Sequence, residues 1–434
     1  MVQGLIKRKD AMRITFLALG TRGDVQPLLA LAVGLQQTGR HRICFAAPDN
    51  FESLVREYHL NFFPLGINTE HLIGTRNLAT GLEAGRNFLL LFVRILRAIK
   101  PMLALLMERT WLSCKDAETI IYSYIGIGAY HVAEKVGVPC FMAATVPGLA
   151  PTLAYPNPSG IFPPLPFGGG YSLLTYFLSK QILQALTGSF INRWRRDKLH
   201  LPPIPFGQFP YTQLHGRPVP VLGGYSPLVV PKPSDWGEHI HVTGYWFLDT
   251  ASDWQPPVPL VEFLVSGSSP VYVGFGSMAN RNPWQTTRLV MDALDKSRQR
   301  GILAAGWGGL HKSDFSANVF TLDAVPHAWL FPRVSAVVHH GGSGTTGAGL
   351  RAGVPSVLVP HIGDQPFWAQ RVVEMGVGPK PIPRSQLTAR RLAEAITDAV
   401  RDTGMQARAL SVGERIRAED GIEKAVEIIE SYSQ

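Results

Sequence analysis

Met12–Ala18 (MRITFLA) is an apolar, partly β-branched run that stops at Gly20-Thr21-Arg22-Gly23-Asp24. From Pro27 to Gln37 the apolar residues recur at helical spacing (Leu28, Leu31, Leu35), with Gly39 as the stop, and His41–Ala47 predicts a second strand. Strand, glycine turn, helix, strand is a βαβ unit, which builds parallel sheets. The rhythm returns at Thr119–Tyr124, Gly128–Val136 and Val138–Ala143, and a strand at Val219–Gly223 closes the series. Gly85–Met107 and Phe177–Arg196 predict long helices, and Leu149–Gly170 is a Pro/Gly/aromatic loop.

A second series follows. It predicts strands at Ser269–Phe275, Gly301–Ala305, Ser335–His339 and Ser356–Val359, and helices at Pro283–Arg298, Thr388–Arg401 and Ile422–Ser431. Between the series, residues 225–239 (YSPLVVPKPSDWGEH) hold three prolines and little periodicity, as exposed linkers do. The expected division is 12–224, a linker at 225–239, 240–415, and a C-terminal helix at 416–434 returning to the first domain. Two α/β halves with parallel sheets would face a central cleft, and open α/β sheets bind ligands beyond the carboxyl ends of their strands.

Composition narrows the class. The 434 residues are 46% hydrophobic and 17% charged, enough apolar material for large cores and too much for a disordered chain. Three cysteines (Cys44, Cys114, Cys140), none in a Cys-x-x-Cys pair, exclude a disulfide framework or a cysteine zinc site. The net charge of +9 suits a phosphorylated small molecule or an anionic membrane surface. Nucleic acid is disfavoured, because no basic-aromatic repeat or zinc finger occurs. Phe88–Met107 is broken by Arg94, Arg97, Lys100 and Pro101, so it fails as a membrane span, and Met1–Asp10 lacks a signal-peptide core. A cytoplasmic protein is expected, with peripheral membrane contact allowed.

The densest chemistry lies in Ser335–Arg371 (SAVVHHGGSGTTGAGLRAGVPSVLVPHIGDQPFWAQR). A strand runs into Gly341-Gly342-Ser343-Gly344, and Thr345-Thr346 lead into a helix. Unpaired N–H groups at a helix start carry partial positive charge, so this loop should bind phosphate, with the Thr345 and Thr346 hydroxyls and the His340 imidazole as added donors. The same residues spell Gly342-x-Gly344-x-x-Gly347, which leaves a nicotinamide-dependent oxidoreductase as an alternative. A catalytically silent sugar-nucleotide binder is another. There is no Asp-x-Asp for a metal bridge and no Gly-x-Ser-x-Gly elbow; His339, His340 and His361 make a poor zinc set, because neighbouring residues on a strand point to opposite faces.

His339-His340-Gly-Gly-Ser-Gly-Thr-Thr, Ala352-Gly353-Val354-Pro355 and Asp364-Gln365-Pro366-Phe367-Trp368 resemble the donor-binding region of GT-B glycosyltransferases of family 1. Gly376-Val377-Gly378-Pro379 with Leu387-Thr388 is nearest the sterol glucosyltransferases, and the actinobacterial antibiotic glycosyltransferases are also similar. Gly20–Pro27 looks like their first loop, and Gly274-Phe275-Gly276-Ser277-Met278 like the loop after the first strand of their second domain. The resemblance implies a GT-B fold of two Rossmann-like domains. It implies inverting transfer of a hexose, glucose as first expectation, from a UDP-sugar, with a TDP-sugar left open, and no metal cofactor.

Residue by residue, it implies that Asp24 is the general base, beside acceptor-loop residues Thr21, Arg22 and Gly23. Asp24 as an N-cap before Pro27 is the competing structural reading. Ser277, His340, Gly342, Ser343, Gly344, Thr345 and Thr346 would hold the diphosphate, Val325 and His327 the pyrimidine, and Asp364 and Gln365 the sugar hydroxyls. Trp368 reads as packing. Plant members carry a Glu for the ribose where this chain has Ala348. Phe88–Met107 and the aromatic series Tyr155, Phe162, Phe167, Tyr171, Tyr176 and Phe177 suit an apolar hydroxyl-bearing acceptor: a sterol, terpenoid, polyketide or lipid.

Overall fold

The computed structural model describes residues 12–69, 102–163, 165, 167–249, 254–276, 283–304 and 317–432. The chain runs β1 (Arg13–Leu17), α1 (Arg22–Gln37), β2 (Arg42–Ala47), α2 (Glu52–Glu57), β3 (Asn61–Pro64), α3 (Leu103–Cys114), β4 (Thr119–Ser123), α4 (Gly128–Val136) and β5 (Cys140–Ala144). After these come α5 (Gly168–Trp194), a hairpin of β6 (Gln213–Leu214) and β7 (Arg217–Pro218), β8 (Val221–Gly223) and β9 (Ile240–Val242). The second series is α6 (Val258–Val265), β10 (Val271–Gly274), α7 (Pro283–Ser297), β11 (Gly301–Ala304), β12 (Val319–Leu322), α8 (His327–Leu330) and β13 (Ala336–His339). It ends with α9 (Ser343–Ala352), β14 (Ser356–Leu358), α10 (Gln365–Glu374), α11 (Ala389–Arg401), α12 (Thr403–Arg417) and α13 (Gly421–Tyr432).

Among the described residues there are two parallel sheets, seven-stranded in the order β3-β2-β1-β4-β5-β8-β9 and five-stranded in the order β12-β11-β10-β13-β14. β4 and β5 are buried along their whole length, as parallel strands covered by helices on both faces must be. In each sheet the order reverses once, between β1 and β4 and between β10 and β13. The carboxyl ends at those two reversals are where open sheets take ligands.

One face of the first sheet is closed by α1 and α13, with Val25, Leu28, Ala425 and Ile429 in one core. The other face is closed by α3 and α4, with Leu106, Ala129 and Val132 against Tyr122 and Met142. A further cluster joins the halves: Tyr155, Tyr225, Val230 and Trp236 from the first series pack with Leu350, Trp368, Val372 and Ile416 from the second.

Four expectations change. Residues 225–239 are not an exposed linker: Tyr225, Ser226, Val229, Val230 and Trp236 are buried. Residues 240–242, assigned to the second half, form β9 and pair with β8 in the first sheet. α1 begins at Arg22 rather than Pro27, and α5 begins at the glycine triplet 168–170, nine residues before Phe177. Of the helix expected at Gly85–Met107, residues 85–101 lie outside the described residues; the remainder enters α3.

Candidate active site

The first wall of the site is built by the turn after β1. Thr21 is the N-cap of α1 and Asp24 its third residue, so Asp24 is not the N-cap that Asp-x-x-Pro suggested. Its Oδ2 accepts hydrogen bonds from the Thr21 N–H (2.8 Å) and the Thr21 hydroxyl (3.2 Å). The reach-back fixes the carboxylate at the mouth of the turn. Gly20 makes room: its φ is +130°, and a Cβ there would overlap Asp24 Oδ2. Burial raises the Asp24 pKa, and the two bonds from Thr21 oppose the rise. The carboxylate is therefore oriented and more basic than an exposed one.

The second wall follows β13. The His339 side chain is fully buried and its Nδ1 accepts the Gly341 N–H at 3.1 Å, which shapes the glycine turn. His340 points the other way, between Gly276 and Gly342, where Cβ atoms would lie 3.0 and 2.5 Å from the ring. Burial lowers its pKa to about 4, so it is a neutral imidazole at neutral pH, and its Nδ1 is buried without a partner. α9 is N-capped by Gly342, and its first intrahelical donor is Thr346, whose N–H goes to the Gly342 carbonyl at 2.9 Å. The N–H groups of Ser343, Gly344 and Thr345 precede that bond and form the positive end of the helix.

Two hydroxyls of this loop are bonded within the protein. Thr346 is fully buried and its Oγ1 donates to the Gly342 carbonyl at 2.9 Å. Ser343 Oγ donates across the cleft to the Thr145 carbonyl, just beyond β5, at 2.8 Å. Ser277 lies outside the described residues.

The third wall is the start of α10. Asp364 Oδ2 accepts from Trp368 Nε1 at 2.7 Å, and Trp368 is fully buried. Packing, expected of Trp368, is thus joined by a positioning bond. Burial raises the Asp364 carboxyl to about 6, against the Trp368 bond, with the Asp24 charge adding to the rise. Gln365 Oε1 accepts the N–H groups of His361 (2.7 Å) and Ile362 (3.1 Å), so this side chain also organises the loop below Asp364. His361, which sequence reasoning weighed only as a zinc ligand, donates Nδ1–H to the Val359 carbonyl at 2.8 Å. Burial, with His340 and Arg384 nearby, lowers its pKa to about 3.

His327 stacks on Phe331 (centroids 4.2 Å apart) and meets Tyr272 edge-on. Its pKa is lowered to about 4 by burial, then by the Arg22 guanidinium and by His340. Arg22, expected beside the acceptor, is exposed on the first turn of α1, where its Nε donates to Gln26 Oε1 at 3.0 Å. Val325 packs in the adjoining apolar cluster. Gly23 is exposed on the first turn of α1.

A cavity of about 220 Å³ lies under α5 in the first half, lined by Ile127, Met142, Leu149, Trp236 and Ile240 among others. It is below the ~300–1,000 Å³ of whole-ligand pockets. Gly148–Pro151 and Asn157 of the loop after β5 line it, and the same loop continues to Gly160, whose backbone abuts the Gly363 carbonyl across the cleft. The aromatic series splits: Tyr155 and Tyr176 are buried, whereas Phe167 and Phe177 face outward. Among the described residues no group of three or more His, Cys, Asp or Glu could hold a metal ion. No helix there is long and apolar enough to cross a membrane.

Comparison with known proteins decides the family. Residues 14–154 match the glycosyltransferase family 28 N-terminal domain, and residues 308–430 the erythromycin biosynthesis protein CIII-like C-terminal domain. Two sterol 3-beta-glucosyltransferases of Arabidopsis thaliana are 39% and 38% identical, each over 96% of this chain and over 64% and 67% of their own lengths. The chain belongs to the sterol 3-beta-glucosyltransferase family. It spans about two thirds of those plant relatives and 27% of a Cryptococcus neoformans relative that is 36% identical. Among solved structures, the glycotransferase of kitacinnamycin aligns over 98% of this chain and 100% of its own, with TM-score 0.71 at 18% identity. The calicheamicin glycosyltransferase CalG4 aligns over 97% and 98%, with TM-score 0.66 at 18% identity. The fold is GT-B. In it the Gly342 loop follows the fourth strand of its sheet in chain order, which removes the main support for a dinucleotide fingerprint.

Proposed function

We propose that this chain is an inverting glucosyltransferase that moves a hexose from a UDP-sugar to the hydroxyl of a sterol or similarly apolar acceptor. The observation that carries the reading is the opposition, across one cleft, of an oriented basic carboxylate (Asp24) to a helix start flanked by a neutral imidazole (His340). The names of the plant and fungal relatives support the sterol and the glucose; the structure of VinC in complex with dTDP, at 17% identity, supports a nucleoside diphosphate in the fold.

In this reading Asp24 takes the proton of the acceptor hydroxyl as its oxygen attacks the anomeric carbon. The bond from that carbon to the diphosphate oxygen breaks, and the electron pair leaves on the diphosphate. The Ser343, Gly344 and Thr345 N–H groups and the His340 N–H meet the charge as it develops, which is the largest single term in such transfers. Asp364, held by Trp368, accepts hydrogen bonds from sugar hydroxyls. Val325 and His327 flank the pyrimidine. The helix end supplies the charge stabilisation a metal bridge would give, so chelator should leave the rate intact.

The test is calorimetric titration with UDP, TDP and NAD⁺ without metal, then incubation with UDP-glucose and a sterol. UDP binding with a sterol glucoside of inverted configuration is the expected result. Binding of NAD⁺ alone would return the Gly342 loop to the oxidoreductase reading.

A further inference from the structure

Between Gly168 and Asn192, α5 carries a single charged side chain, Lys180, and Lys180 lines the cavity of the first half. Its ammonium stands 4.9 Å from the centre of the Phe209 ring, which lines the same cavity. The ring face attracts the cation but offers no oxygen to its three N–H donors. Burial alone shifts the Lys180 pKa, downward; among the described residues no carboxylate stands close enough to oppose that shift. Ser179, one residue earlier, also lines the cavity, and its hydroxyl is buried without a hydrogen-bond partner. Donors left in this state cost stability until an acceptor reaches them.

Three other polar groups around the cavity are committed. The Asn157 amide donates to the Gly148 carbonyl at 3.3 Å, and its oxygen accepts the Ser159 N–H at 2.9 Å. The Tyr211 hydroxyl meets His131 Nε2 at 3.3 Å. Asp235, an exposed residue, accepts the Thr152 hydroxyl on one oxygen and the Leu153 N–H on the other, each at 2.7 Å. Lys180 and Ser179 therefore form a paired donor set in an otherwise largely apolar space.

The cavity begins beside the proposed base. Tyr124, which lines it, directly follows β4, and Ser123 before it accepts the Leu19 N–H at 3.0 Å, next to the turn that carries Asp24. Tyr211 and Phe209, with ring centroids 4.7 Å apart, continue the wall to Lys180. About 220 Å³ holds the end of a drug-sized molecule rather than the whole.

We propose that Lys180 and Ser179 bind a carboxylate at the end of the acceptor remote from its reacting hydroxyl, so that this chain prefers apolar hydroxy acids. That the bound molecule is an acceptor rests on the proposed reaction; the carboxylate site itself does not.

The full chain is titrated by calorimetry, without sugar donor, with a 3-hydroxysteroid bearing a side-chain carboxylate and with its methyl ester. The acid should bind about tenfold more tightly, or better, as expected for hydrogen bonds to a charged group. Lys180→Met should bring the acid down to the ester, Lys180→Arg should keep the preference, and Ser179→Ala should reduce it, with thermal melts confirming that each variant is folded. UDP is titrated in parallel. UDP binding without any preference for the acid overturns the proposal and leaves the glycosyltransferase reading standing. A Lys180-dependent preference without UDP binding supports the carboxylate site and counts against that reading. The proposal also falls if Lys180→Met keeps the preference; the ammonium would then serve only the Phe209 ring and solvent.

Discussion

The charge of Asp24, on the first half, reaches Asp364, on the second, and adds to the burial that holds the Asp364 carboxyl at about 6. Two carboxylates from different sheets thus share one electrostatic environment. Substituting Asp24→Asn removes the like charge, so the Asp364 pKa should fall. The affinity of the variant for UDP-glucose relative to UDP, followed against pH by calorimetry, should lose its acid limb at lower pH than in the wild type. An unmoved limb would place the two groups out of contact.

The same substitution tests the base. Asp24→Asn keeps an acceptor oxygen for the Thr21 N–H, so the turn should survive. Turnover should drop by about 10²–10⁴, the usual worth of a general base, with UDP affinity nearly intact. In the wild type, burial raises the Asp24 pKa, so the ionised fraction falls as pH drops through that raised value. kcat/KM should therefore fall on the acid side at a higher pH than for an exposed aspartate.

Asp364→Asn should stabilise the protein while disabling it. A carboxyl held at about 6 when folded and ~3.9 when unfolded binds more protons in the folded state between those values. Its stabilising contribution is complete below the unfolded value and is lost as pH rises through 6. At pH 7 an ionised, recessed carboxylate remains, and asparagine removes its cost while still accepting from Trp368 Nε1. The gain should be ~1–2 kcal/mol, discounted from two pH units for partial exposure. Thermal melts at pH 4 and pH 7.5 would check it: the variant should gain only at the higher pH.

Much of this site was readable in the sequence because it consists of short strands followed by glycine turns, and those features are local. Gly20 and Gly342 marked where backbone or a neighbouring side chain must come close, and the structure puts Asp24 and His340 there. What escaped is tertiary. Ile240–Val242 looked like the start of a new series, yet its strand completes the first sheet, because a three-residue parallel strand carries almost no periodicity. The prolines of 225–239 suggested exposure, but Tyr225, Val230 and Trp236 fill the seam between the halves. The glycine triplet hid the start of α5. Which polar side chains the fold itself uses could not be told from residue type; the Thr346 hydroxyl and the Gln365 Oε1 are both bonded within the fold.

His340 owes its position to the absence of two side chains, so Gly342→Ala should imitate His340→Ala. A Cβ at residue 342 would lie 2.5 Å from His340 Nε2 and force the imidazole out of the crevice or shift the helix start. Either change removes a donor from the leaving group, for which about 10²–10³ in kcat is expected. UDP affinity should weaken in both variants, and the double variant should be little worse than either single one. Full multiplicative losses would mean that the two residues act separately.

Ser343 separates the two accounts of the phosphate loop. If its hydroxyl bound the diphosphate, as residue type suggests, Ser343→Ala would cost UDP affinity on the scale of His340→Ala. Instead the hydroxyl donates to the Thr145 carbonyl, and the backbone N–H that precedes the first helical bond survives the substitution. The variant should lose only a net hydrogen bond between the halves, about 0.5–1.5 kcal/mol, or roughly two- to tenfold. The loss should appear in affinity rather than in the chemical step, because the bond joins the two sheets and touches no reacting atom. Single-turnover rates at saturating donor, compared with UDP titrations, would distinguish the outcomes. A fall in the single-turnover rate matching that of His340→Ala would return the Ser343 hydroxyl to the phosphate.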